Sequence, residues 1–212
     1  MKFEINKTLA LKVLKVVDTG LVKGLGVATP GQMCVEAAVN YALGADHGDS
    51  PTCVGFAVRS FKIALNDCDW SSDAARAKGM RKLAIAQLGS DQINQVEFAK
   101  LLALRTTTVF LADFLRDKYP EHAARCAAAQ DLLAARDAAR DVASAARAAS
   151  AARDAASAAR VAARYVARAA SYAASYAASA ASDLWLTKMA DIALGVLIEL
   201  KSPGCAFLDL CD

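Results

Sequence analysis

The chain has 212 residues, with 25 Lys+Arg against 22 Asp+Glu and a net charge of +3. That near balance excludes a strongly basic nucleic-acid binder and an acidic nucleic-acid mimic. The composition is 56% hydrophobic but only 7% aromatic, so alanine carries much of the apolar content. Each buried Ala side chain contributes under ~1 kcal/mol, so the fold must draw on helix propensity, close backbone packing and a limited set of Leu, Ile and Phe anchors.

In chain order, Leu9, Leu11, Val13, Leu14, Val16 and Val17 predict a first helix ending near Gly20. A connector with Gly20, Gly24 and Gly26 follows. Thr29-Pro30-Gly31-Gln32 reads as a helix start, with Thr29 as N-cap and Pro30 at the first helical position, the helix running to Gly44. Ala45 to Pro51 is a polar loop. Ser50 or Thr52 is expected to cap a third helix with Val54, Phe56, Val58, Phe61, Ile63 and Leu65 inward. Ser71 or Ser72 caps the next, which ends at Gly89. Ser90 or Asp91 opens another, which Pro120 stops.

From Glu121 to Leu194 there is neither glycine nor proline, and 31 of the 60 residues from Ala123 to Ser182 are alanine. Such a composition favours helix rather than disorder. Between Asp137 and Ser182 a polar residue recurs about every 3.5 residues, with Ala-Ala pairs opposite. That repeat suits a methyl-faced helix seeking a partner helix. As one unbroken rod it would be ~90 Å long, so a hairpin with its break between Ser144 and Arg153 is favoured over a long dimerising helix. A last apolar helix from Leu184 to Leu200 precedes a tail, Ser202–Asp212, expected to dock on the body.

The expected fold is all-α: a helical bundle with long Ala-rich, closely packed (Alacoil-like) helices. Three segments are expected: an N-terminal helical domain over 1–120, an Ala-rich segment over 121–183, and a C-terminal helix with docked tail over 184–212. No signal sequence or membrane-spanning run is read. The scattered cysteines form no CxxC pair and suit reduced thiols in a cytoplasm.

Two groups of residues could carry chemistry. Cys34, at the expected start of a helix whose dipole lowers a thiol's pKa, combines with His47 and Asp49 as a nucleophile, base and orienting acid. With Cys53 the same group has the ligand types of a zinc site, but the spacing matches no metal motif, and neither metal nor cofactor is expected. Arg160, Arg164 and Arg168 form a row on one helix face, with Tyr165, Tyr172 and Tyr176 on its flank and no acid between Asp154 and Asp183. Arg beside Tyr suits a phosphate, a nucleotide or an acidic protein. Arg76, Lys78, Arg81 and Lys82 form a third, basic cluster, read as a solvated face balanced by Asp67, Asp69 and Asp73. P-loop, GxSxG, HExxH and EF-hand motifs are all missing.

Three stretches carry a resemblance: PGQMCVEAA at Pro30–Ala38, Trp70-Ser71-Ser72 with the AQLGS of Ala86–Ser90, and LKSPGCAFLDLC at Leu200–Cys211. They resemble a group of uncharacterised bacteriophage and bacterial proteins that combine such flanks with an Ala-rich middle, and the middle is similar in composition to putative bacterial immunity proteins. The resemblance implies a phage or prophage accessory context and assigns no residue a role. The expected function is a non-enzymatic interaction protein, anti-defence or immunity-like, that neutralises a host protein or a small anionic nucleotide signal. No membrane or specific nucleic-acid partner is expected, and a homodimer is possible. The alternatives are a cysteine-dependent enzyme using Cys34, His47 and Asp49, and a structural or assembly protein.

Overall fold

The computed structural model describes residues 4–117, 119–148 and 183–212. It is all-α: among the described residues there is no strand, only an isolated bridge between Gly26 and Met33. The helices are α1 (Lys7–Val17), α2 (Val35–Leu43), α3 (Phe56–Asn66), α4 (Asp73–Ala86), α5 (Gln95–Arg105), α6 (Ala112–Leu115), α7 (Pro120–Ala127), α8 (Leu132–Ala148) and α9 (Asp183–Glu199).

The larger core joins α1 to α5, α9 and the tail. α4 lies at its centre, packing on α9, α1, α2 and the tail. Its N-terminus follows the sequence: Ser72 Oγ accepts from the Ala75 N–H at 3.0 Å. Gly79 faces the Trp70 ring so closely that a Cβ there would sit 2.4 Å from the ring carbons. The indole N–H of Trp70 donates to the Leu65 carbonyl at 2.9 Å, which holds the ring in place. The tail docks as a 3₁₀ segment, Pro203–Cys211. The Gly204 N–H donates to the Leu88 carbonyl at 2.7 Å, and Ser202 Oγ to the Ala86 carbonyl at 2.6 Å.

A second, smaller core lies between α6, α7, α8 and the turn before α6. It contains Leu111, Leu115, Ala123, Cys126, Ala138, Ala139 and Val142. α7 and α8 pack side by side through these small residues, as a methyl-faced pair should. The chain reverses at Ala128–Asp131, where Asp131 Oδ1 accepts from the Ala134 N–H at 2.8 Å. Ser144 therefore lies inside α8 and opens no second half, because Asp131 supplies an earlier cap. Ser150 and the rest of the expected break lie outside the described residues.

Four other expectations are corrected. α2 starts at Val35 rather than at Pro30, because Gly31 adopts φ +82° and ends any helical path through Thr29-Pro30-Gly31. α3 starts at Phe56, and neither Ser50 nor Thr52 caps it. Its first N–H groups are satisfied from elsewhere in the chain: Gly55 N–H donates to Ser90 Oγ at 3.0 Å and Ala57 N–H to Gln95 Oε1 at 3.1 Å. Phe56 is 64% exposed rather than inward. The helix expected from Ser90 is a 3₁₀ turn, Ser90–Gln92, followed by α5 with Asn94 as N-cap.

The stretch joining α5 to α6, Thr106–Leu111, is wound as a π-helix. Thr106 and Thr107 donate their hydroxyls back to the Leu102 and Ala103 carbonyls at 2.8 and 3.3 Å. Such back-bonding competes with the helical ladder and opens the turn. The widened turn presents Phe110 and Phe114 to Trp185 of α9, with ring centroids 5.5 and 5.6 Å away.

Gly79→Ala reports on the close approach over α4. In an exposed helix this change gains up to about 1 kcal/mol. Here overpacking reverses the sign, and chemical denaturation should show a loss of about 1–3 kcal/mol.

Candidate functional site

α2 and α3 meet over two side chains that the sequence reading passed over. Glu36, in the first turn of α2, faces Lys62 of α3, with Nζ 3.3 Å from Oε1 and both side chains fully buried. Lys62 is inward because the buried stripe of α3 runs through Val58, Phe61, Lys62 and Leu65. Position 62 is four residues after Val58, on the same face. Ile63, expected inward, is only half-buried. Neither Glu36 oxygen nor Lys62 Nζ takes part in a hydrogen bond among the described residues. Burial pushes the Glu36 carboxyl above the ordinary carboxylate range, with Lys62 and Arg59 opposing it. Burial likewise pushes the Lys62 ammonium below its ordinary value, with Glu36 opposing it. Removing two charges from water is repaid only by their mutual attraction, and losing either partner strands the other.

Cys34 lies beside this pair as the N-cap of α2. Its Sγ accepts from the Ala37 N–H at 3.4 Å. The expected lowering of its pKa by the helix is not what the structure gives: burial dominates and pushes the thiol up, although the Ala37 and Glu36 N–H groups oppose it. Burial raises Cys53 in the same way. Cys68 is pushed up to about 12, and Cys126 and Cys205 to about 11.

The four residues of the expected cysteine site are placed differently from one another. Cys34 and Asp49 line one small cavity of about 50 Å³, together with Glu36, Asn66 and Asp67. His47 does not line it; its Nε2 stands 3.1 Å from the Gly26 carbonyl on the surface. Cys53 is buried near the Glu36–Lys62 pair. Among the described residues no group of three His, Cys, Asp or Glu side chains can hold a metal ion.

The basic cluster is not a uniformly solvated face. Arg76 is 5% exposed. Its Nε donates to the Asn66 carbonyl and its Nη1 to the Leu21 carbonyl, both at 2.8 Å, and it pairs with Asp73. Asn66 ends α3 and Leu21 follows α1, so neither carbonyl has a helical partner, and the guanidinium fork satisfies both. Arg81 grips Asp18 through two bonds of 2.7 and 3.1 Å, and Lys82 pairs with Asp212 at 2.8 Å. With Lys78, Arg81 lines an open groove of about 540 Å³ between α4 and the end of α1. The Arg160, Arg164 and Arg168 row, with Tyr165, Tyr172 and Tyr176, lies outside the described residues.

Against family models, curated proteins and solved structures, the chain gives no match.

Lys62→Met and Glu36→Gln are each expected to destabilise the protein by about 3–5 kcal/mol, since each leaves a lone buried charge or polar group. The double change is expected to cost much less than their sum. Urea denaturation of the four proteins measures this as a double-mutant cycle.

Proposed function

We propose that this chain is a non-enzymatic binding protein of phage or prophage context, which captures and neutralises a host protein or a small anionic nucleotide signal. The context rests on the resemblance of the flanking segments. The choice of binding over catalysis is supported by one observation. The candidate nucleophile, Cys34, is a buried helix cap with its thiol pushed up by burial and no hydrogen bond to His47. An enzyme of that type needs a lowered thiol pKa and an accessible sulfur beside its base. Among the described residues no helix is long and apolar enough to cross a membrane.

The contact row for an acidic partner is Arg160, Arg164 and Arg168, flanked by Tyr165 and Tyr172. Native mass spectrometry of protein purified from bacterial cells is expected to show bound mass that is lost on denaturation. A variant with all three arginines changed to alanine is expected to lose it. Retention of the same partner by that variant removes the arginine row from the reading.

Thiol labelling separates the enzyme alternative. A thiol at about pKa 11 is on the order of a hundredfold less ionised at pH 8 than an ordinary one near 8.5. Cys126 and Cys205 are therefore expected to react slowly at pH 8 and faster as pH rises. Cys34 should lag an exposed thiol in the same way. Rapid labelling of Cys34 alone near neutral pH, slowed by His47→Ala, replaces the binding reading with the enzyme.

A further inference from the structure

We draw no further inference here: the strongest candidate, the open groove between α4 and the end of α1 lined by Asp18, Asp73, Lys78 and Arg81, carries nothing, because Asp18 already holds Arg81 and Asp73 holds Arg76, and nothing in the structure shows what covers it.

Discussion

The larger core depends on how closely other elements can approach α4. That helix carries Gly79 and five alanines among its fourteen residues, beside the larger Met80, Leu83 and Ile85. Trp70 lies over Gly79, and Pro203 lies over Gly89 just beyond the helix end. Gly204 brings the tail so near that a Cβ there would meet the Ile85 carbonyl oxygen at 2.1 Å. A chain poor in large side chains gains its dispersion energy from shortened distances, because attraction falls steeply with any gap. α9 then supplies the bulk from its own side, through Leu186, Met189, Ile192, Val196 and Leu197. The economy in aromatic residues and the tight glycine contacts are two aspects of one packing solution.

Much of this was legible in the sequence where the cause was local. The apolar stripe of α1 and the Ser72 cap each rest on residues a few positions apart; the helix expected to stop at Gly89 ends at Ala86, and the apolar residues of the tail marked it for docking, but not where it docks. What escaped the sequence was set by distant partners. Lys62 occupies a position on the buried stripe of α3 and is tolerated there only because Glu36, on another helix, neutralises it. Arg76 is buried because carbonyls at Leu21 and Asn66 converge on it. The start of α2 was misplaced because Thr-Pro at a helix start and Thr-Pro-Gly in a turn look alike until the sign of φ at Gly31 is known.

The candidate site divides along the same line. Of the residues that the sequence grouped, Cys34 and Asp49 share a cavity and His47 stands apart from it. It expected a lowered thiol pKa for Cys34 because it weighed the helix dipole and not the burial, which pushes the thiol up. Within a few ångströms of solvent a helix N-terminus favours a thiolate, but in a sealed core the loss of hydration outweighs it. Glu36 and Lys62 were passed over because an acid in a first turn and a lysine in a helix are ordinary surface residues until the packing is known.

The capping of α3 has a consequence for how the molecule holds together. Its first N–H groups are bound by Ser90 and Gln95, which belong to the 3₁₀ turn and to α5. Gly55 must lack a side chain for the Gln95 amide to reach them. An eleven-residue helix is marginal alone, so α3 is not an autonomous unit but one conditional on a segment made some 35 residues later in the chain. The two helices therefore open and close as one cooperative element. During synthesis Glu36 and Lys62 cannot be fully sealed together until α5 has emerged to fasten the helix that carries one of them.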